Sequence, residues 1–226
     1  MLFEGESKQI LSTDQADMVV IRFKDTIGSV DMKLEGKGKV CCSLNKFFFS
    51  LMEGQIPTHY IADFDETSFI ARKLKMLPVK VVVRNFAAGS ICERQNVQKG
   101  TWFPYPYVEY LIKDENLETF YLTEEEVVKK GILDFEEAVL LTDASKMISK
   151  IVYDRLNSSD LKLIDITLMF GKDVNEGYFL ADEMTPDTMR ISSKSTDVSF
   201  GKDELSSEAA KLVGSYNLLA EKLGVK

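Results

Sequence analysis

The sequence comprises 226 residues, 45% of them hydrophobic and 28% charged, with a formal net charge of −8. Such a chain is long enough to bury a substantial core as one large or two small globular domains, and its acidic balance argues against a nucleic-acid partner bound through a broad basic face. No apolar run reaches the roughly 20 residues that span a bilayer, and the first residues lack the pattern of a signal peptide, so we expect a cytoplasmic protein with no membrane partner.

The most reactive side chains are scarce. Cys41, Cys42 and Cys92 are odd in number and none has C-x-x-C spacing, which indicates neither a disulfide framework nor a zinc site. The single histidine, His59, lies at the expected start of a strand, where a structural role is the better hypothesis. Function is therefore expected to rest on Lys, Arg, Asp and Glu side chains and on backbone groups.

The chain opens with a pattern typical of a sheet and a helix. Alternating residues predict strands at 2–11 and 16–24, joined by a polar turn. A segment rich in glycine and charge predicts a mobile loop at 25–39. Apolar residues at helical spacing within 40–51 then predict an amphipathic helix that ends at Gly54.

Three further strand-like runs occupy residues 56–64, 67–77 and 79–85. They are rich in β-branched and aromatic residues, and polar residues or a proline separate them. We expect these runs to join the first two strands in an antiparallel sheet of about five strands, with the helix packed on it.

The stretch from Val79 to Arg94 has the pattern of a strand that ends at a ligand. A valine-rich run stops at Arg84 and is soon followed by Ala-Ala-Gly-Ser. Gly89 can adopt backbone angles closed to other residues, Ser90 offers a hydroxyl, and neighbouring N–H groups can hold a phosphate oxygen. Arg84 supplies a planar donor fork for carboxylate or phosphate. The alternative is an ordinary strand and turn with a surface arginine.

The second half of the chain mixes helices and strands. Thr123-x-x-Glu126 is a capping box, which predicts the start of a helix. Strands at 161–171 and 176–184 are expected to pair and to deliver Asp182 to a cleft, and a last helix ends the chain. Before these strands, a longer helix is expected to bury one apolar face, which comprises Leu140, Met147, Ile148, Ile151, Val152 and Leu156.

Two motifs make this sequence resemble a known enzyme family. RNFAAGS at 84–90 and ADEMTPDTMR at 181–190 are similar to the R-N-x-A-A-G-S and D-E-x-T-P-D-x-x-R signatures of the phosphoribosylaminoimidazole-succinocarboxamide synthase (SAICAR synthase) family of purine biosynthesis. Neither is a common loop pattern. The resemblance covers nearly the whole chain, because further segments follow in the family's order at residues 2–10, 54–61, 71–85, 108–115 and 163–171.

The resemblance implies the architecture. It implies an α+β fold in which residues 1–85 form an N-terminal antiparallel sheet domain with one helix that covers ATP. Residues 86–226 then form a larger α+β domain that carries the metal and ribotide residues, with the nucleotide site in the cleft between the two. A homo-oligomer, namely a dimer, is also implied. Lys37 and Gly38 match a ligand-binding segment of the family more weakly.

The implied reaction is an ATP-dependent carbon–nitrogen ligation. L-Aspartate is joined to the carboxylate of carboxyaminoimidazole ribotide to give SAICAR, while ATP is hydrolysed to ADP and phosphate and Mg2+ serves as cofactor. The motifs assign ATP binding to Lys8, Met76, Leu77 and Lys113. They assign ribotide binding to Arg84, Ser90, Asp187 and Arg190. The metal is assigned to Asp182, and the catalytic candidates are Lys113 and Asp182.

The sequence departs from the family at phosphate and metal residues. Glu6 stands where the family has a first lysine, and Thr167 and Met169 stand where it has a lysine and a metal-binding glutamate. Asp114 and Glu115 partly replace an Asp-Pro dipeptide. These changes support a second hypothesis, a catalytically impaired paralogue that binds nucleotide or ribotide. A kinase-like phosphotransferase is a third, but it does not explain the R-N-x-A-A-G-S motif.

Overall fold

The protein has an α+β fold, as the sequence predicted, with an antiparallel sheet of five strands, a larger antiparallel sheet of seven strands, and helices packed on both. No helix in the described part of the chain is long and apolar enough to cross a membrane. Part of the loop predicted at 25–39, together with Asp114 and Glu115, lies outside the described residues. The computed structural model describes residues 1–26, 33–113, 119–196, 198–201 and 209–225.

The first sheet comes from the N-terminal third of the chain. Its strands are β1 (Phe3–Glu4), β2 (Lys8–Ser12), β3 (Met18–Phe23), β4 (Tyr60–Asp63) and β5 (Ser68–Arg72), in the spatial order β1-β2-β3-β5-β4. The run predicted at 2–11 forms two strands, because the chain reverses between β1 and β2. There the N–H of Gly5 donates to the carbonyl of Lys8 over 2.8 Å, which closes a tight hairpin. The hairpin places Lys8 at the start of β2, opposite Phe23.

Helix α1 (Lys37–Ser50) packs on this sheet. Its apolar face is buried, because Val40, Leu44 and Phe48 are each at most 5% exposed. The predicted helix is therefore confirmed, although it begins three residues before the apolar pattern does. The chain then turns through Gly54, whose φ of +73° suits glycine.

The second sheet carries the motifs. Its strands are β6 (Lys75–Phe86), β7 (Trp102–Lys113), β8 (Thr119–Leu122), β9 (Leu161–Lys172), β10 (Tyr178–Ala181), β11 (Met189–Ser193) and β12 (Ser199–Phe200). The spatial order is β12-β11-β9-β6-β7-β8, with β10 paired to β9 as the sequence predicted. Strand β6 is thus central, with β9 on one side and β7 on the other.

The predicted place of residues 79–85 in the first sheet was wrong. This segment is the core of β6, where Val81, Val82 and Val83 are at most 4% exposed. A central strand covered on both faces needs a continuous apolar run rather than alternation, and a valine-rich run fits that requirement. The chain therefore passes from the first sheet to the second between β5 and β6. A domain boundary after residue 85 stays a prediction.

Four helices follow α1 in the described part of the chain, namely α2 (Ile91–Arg94), α3 (Glu124–Lys129), α4 (Phe135–Asn157) and α5 (Ala209–Leu223). The predicted capping box of α3 is confirmed. The predicted buried face of α4 was partly wrong, because Leu140 and Met147 are 45% and 43% exposed. Ile148, Val152 and Leu156 are buried as predicted, and Leu141, turned about 100° around the helix from Leu140, is buried in its place.

The sheets meet where residues 57–59 run beside β10. The N–H of His59 donates to the carbonyl of Leu180 over 2.9 Å, and the N–H of Leu180 donates to the carbonyl of Pro57 over the same distance. The His59 ring is buried among Phe49 and Phe69. Burial lowers the pKa of His59 to about 3, so the ring is neutral and its role is structural, as expected.

Candidate active site

Arg84 is a buried cation near the end of β6. It is 2% exposed, and a buried guanidinium is stable only when carboxylates and hydrogen bonds compensate it. Its Nε donates to Oε2 of Glu109 over 2.7 Å, and its Nη1 donates to Oδ2 of Asp165 over 2.9 Å. These two contacts, from β7 and β9, fix the plane of the guanidinium group.

Arg190 joins Arg84 on the same carboxylate. Its Nη1 donates to Oδ2 of Asp165 over 2.6 Å, and the sheet register places both arginines beside Asp165. Two residues far apart in sequence, each assigned to the ribotide, thus lie together. Asp165 was not predicted as a site residue, although a carboxylate inside the apolar strand β9 was a detectable signal.

The Ala-Ala-Gly-Ser segment lies against Arg190. Gly89 has a φ of +67°, and a Cβ added there would stand 3.1 Å from Nη2 of Arg190. Ser90 follows directly and is exposed at the start of the short helix α2. The backbone therefore approaches the guanidinium as closely as a glycine permits, which places Ser90 beside the arginine pair.

A third arginine, which the sequence did not single out, completes the charge network. Arg94 donates from Nη2 to Oε1 of Glu109 over 2.6 Å and stacks on Tyr121 at 4.0 Å. Three guanidinium groups thus pair with two carboxylates, Glu109 and Asp165. The adjoining cavity is lined by Val82, Arg84, Leu111, Tyr121, Asp165, Thr167, Asp187, Thr188, Met189 and Arg190. We call it the ribotide cavity after the ligand that the resemblance assigns to Arg84, Asp187 and Arg190, and its two arginines offer donors to an anionic ligand.

Asp187 lines the ribotide cavity, but both of its carboxylate oxygens have partners. Nζ of Lys37 lies 2.5 Å from Oδ2, and the hydroxyl of Tyr216 donates to Oδ1 over 2.6 Å. Lys37 is fully buried, so its ammonium group contacts Asp187 rather than solvent.

Lys8 at the start of β2 and Asp182 just after β10 form a second charged cluster. Nζ of Lys8 forms an ion pair with Asp182 and lies 3.0 Å from Oε1 of Glu183. Burial favours the neutral amine, but the two carboxylates raise the pKa of Lys8 above its ordinary value. The structure thus brings together a lysine that the resemblance assigns to ATP and an aspartate that it assigns to the metal.

Leu77 and Lys113 line a second cavity, which we call the nucleotide cavity after the ligand that the resemblance assigns to these two residues. Met169 of β9 also lines this cavity and pairs with Ala181 of β10. Met76, the other residue assigned to ATP, precedes Leu77 on β6 and is 41% exposed. The structure therefore brings together Leu77 and Lys113 and leaves Met76 at the margin of this cavity.

The described residues fit a magnesium ion that arrives with a nucleotide, and do not form a metal cage of their own. No group of three or more His, Cys, Asp or Glu side chains able to hold a metal occurs among them. Met169 stands opposite Ala181, the residue before Asp182, and a thioether is a poor ligand for magnesium. Asp182 therefore offers one carboxylate, and nucleotide phosphates must supply other ligands.

Comparison with known proteins identifies the family. A sequence profile described as SAICAR synthetase matches residues 1–222. The chain is 32% identical, over 228 aligned positions, to the phosphoribosylaminoimidazole-succinocarboxamide synthase of Staphylococcus carnosus (strain TM300), with 99% of this chain and 97% of the relative covered. The chain belongs to the SAICAR synthetase family. The predicted membership in a family of ATP-dependent ligases of purine biosynthesis is confirmed.

Solved structures of SAICAR synthetases share the fold. The phosphoribosylaminoimidazole-succinocarboxamide synthase of Ehrlichia chaffeensis superposes with a TM-score of 0.91 at 28% identity, covering 100% of this chain and 98% of its own. A SAICAR synthetase in complex with ADP superposes with a TM-score of 0.88 at 32% identity, covering 98% and 96%. The predicted α+β fold of this family is therefore confirmed, and one of its similar structures contains an adenine nucleotide.

Proposed function

We propose that this chain joins L-aspartate to carboxyaminoimidazole ribotide with hydrolysis of ATP, which yields SAICAR, ADP and phosphate. The observation that carries this proposal is the pair Arg84 and Arg190 on Asp165, at one wall of the ribotide cavity. An anionic ribotide fits that wall, and family membership supports the reaction.

The chemistry requires activation of a carboxylate. Direct attack by an amine would have to expel oxide, which is a poor leaving group. Transfer of the γ-phosphoryl group of ATP to a carboxylate oxygen gives an acyl phosphate and ADP. The aspartate amine then attacks the carbonyl carbon, the C–O bond to phosphate breaks, and the amine loses a proton to leave the amide.

We assign the ribotide to the arginine side of the site. Arg84 and Arg190 bind its anionic groups, Ser90 donates its hydroxyl beside them, and Asp187 closes the same cavity. Since the guanidinium groups are already held by carboxylates, they are oriented before the ligand arrives and need little reorganisation.

We assign ATP to the side of the site that contains Lys8 and Lys113. Leu77, with Met76 at the margin, would contact the base, while the two lysines would bind phosphates. Lys8 is held by Asp182 and Glu183, and phosphate oxygens offer it alternative partners. When bound, Mg2+ on Asp182 would offset phosphate charge.

A second candidate function is binding of nucleotide or ribotide without ligation. Met169 at the position of the family's metal-binding glutamate, and Thr167 at that of its lysine, favour it. In this case the ribotide cavity would be functional while phosphoryl transfer would be lost.

ADP release distinguishes the two functions. Purified protein would be given Mg2+, ATP, carboxyaminoimidazole ribotide and L-aspartate, and parallel reactions would omit one substrate each. ADP that forms only in the complete mixture is the expected result. Ribotide binding by calorimetry without any ADP release would favour the second function. The proposal also includes a homodimer in the cytoplasm, and light scattering of the purified protein tests the dimer.

A further inference from the structure

Helix α1 has a buried polar face. Lys37, Cys41 and Asn45 recur at four-residue spacing, and each is 0% exposed. Residues at this spacing lie above one another on one side of a helix. Buried polar groups are normally partnered, and Lys37 and Oδ1 of Asn45 each have a partner in residues 182–187, whereas Nδ2 of Asn45 has none among the described residues.

The partner of Asn45 is the backbone just after Asp182. The N–H of Met184 donates to Oδ1 of Asn45 over 2.7 Å. Asp182 itself has a φ of +64°, in the left-handed region that side chains other than glycine rarely adopt. Such a conformation persists only where surrounding groups determine it, and the hydrogen bond from Met184 to Asn45 holds the backbone two residues away.

The partner of Lys37 is the carboxylate of Asp187. Burial alone would lower the pKa of Lys37, but the carboxylates of Asp187 and Glu183 raise it, so the lysine is a cation. Tyr216 of α5 binds the second carboxylate oxygen. Asp187 is thus held from two helices, and its side chain cannot rotate without breaking a buried ion pair or hydrogen bond.

We propose that Asn45 and Lys37 are positioning residues that set the two ends of the segment 182–187 from one helix. Asn45 fixes Asp182 at the nucleotide end, and Lys37 fixes Asp187 at the ribotide end. Neither residue touches substrate. This inference rests on the proposed function, because it assigns the two ends of the segment to different ligands.

The two variants should separate the two ligands. Asn45→Leu keeps the side-chain size but removes the acceptor, and it is expected to weaken Mg2+-ADP binding about tenfold while ribotide binding changes less than about twofold. Lys37→Met is expected to weaken ribotide binding about tenfold while Mg2+-ADP binding changes less than about twofold. Tyr216→Phe removes only one donor to Asp187 and tests the ribotide end with less risk to folding.

The experiment is calorimetric titration of each variant with Mg2+-ADP and, separately, with carboxyaminoimidazole ribotide, alongside thermal unfolding. Lys46→Met is the matched control on the same helix, since Lys46 pairs with Asp63 outside the site, and it should leave both affinities unchanged. The inference would be overturned if Asn45→Leu and Lys37→Met each lost affinity for both ligands equally. It would also be overturned if the variants melted at a lower temperature without a selective loss of affinity for either ligand. Wild-type protein that binds neither ligand would overturn the proposed function as well.

Discussion

Arg84 and Arg190, from strands on opposite sides of β9, donate to the same carboxylate oxygen of Asp165 at 2.9 and 2.6 Å. Two guanidinium groups brought this close would repel one another without a shared anion. Asp165 therefore allows two positive charges to stand at one wall of the ribotide cavity.

Replacing Arg190 by alanine should weaken ribotide binding much more than ATP binding. A charged hydrogen bond contributes about 2 kcal/mol, which corresponds to roughly a 30-fold increase in the ribotide Kd. The nucleotide residues Leu77 and Lys113 line a different cavity, so the Kd for Mg2+-ADP should stay within about twofold. Calorimetry with each ligand measures both values, and an equal loss of the two affinities would sink the assignment of Arg190 to the ribotide.

Gly89→Ala should reduce ribotide affinity, because the new Cβ would press on Arg190. The left-handed backbone also costs a non-glycine residue about 1 kcal/mol of folding stability. Gly131→Ala is a matched control, since Gly131 has nearly the same φ, +66° against +67°, and open space around its Cβ position. Urea unfolding should show similar destabilisation in both variants, whereas only Gly89→Ala should bind ribotide less tightly. Similar ribotide affinities would contradict the close approach.

Asp165→Asn should destabilise the fold markedly. Removing one charge from a buried ion-pair network costs about 3 kcal/mol, because both arginines lose their shared anion. Asp154→Asn removes an exposed partner of Lys150 on α4 and should cost at most about 0.5 kcal/mol. The free energy of unfolding in urea measures both effects. Equal values for the two variants would show that Asp165 contributes little to holding the arginines.

Met169→Glu should strengthen the binding of Mg2+-ADP several-fold. A second carboxylate beside Asp182 is a ligand that magnesium prefers over a thioether. Met169→Gln has nearly the same shape without the charge and serves as control. Titrations with ADP in the presence of Mg2+ or of a chelator measure the gain. A gain that persists in the chelator, or that the glutamine variant shares, would exclude a metal role for position 169.

The parts of the structure that the sequence predicted depend on local patterns or on the two motifs. Helix α1 and the cap at Thr123 follow from spacing and capping chemistry within a few residues. Arg84, Ser90 and Arg190 were assigned by resemblance, and the fold places both arginines at one cavity wall and Ser90 next to Gly89, which lies against Arg190.

The parts that the sequence did not predict depend on tertiary neighbours. The valine-rich run does not indicate which sheet it joins, so residues 79–85 of β6 were predicted in the first sheet, whereas they lie in the second. Leu140 and Leu141 are identical in type, and only packing decides which is buried. Asp165, Glu109 and Arg94 are ordinary charged residues until three strands and a short helix bring them together.

Strand β6 links the residues assigned to the two substrates. Leu77 lines the nucleotide cavity and Arg84 the ribotide cavity, and the seven steps between them extend roughly 23 Å along one strand. The γ-phosphoryl group must meet the ribotide carboxylate, so a nucleotide whose base contacts Leu77 has to extend along β6 towards Arg84 with its phosphates leading. The length of β6 between these two residues is therefore the space that the ribose and phosphates of ATP must bridge for phosphoryl transfer to occur.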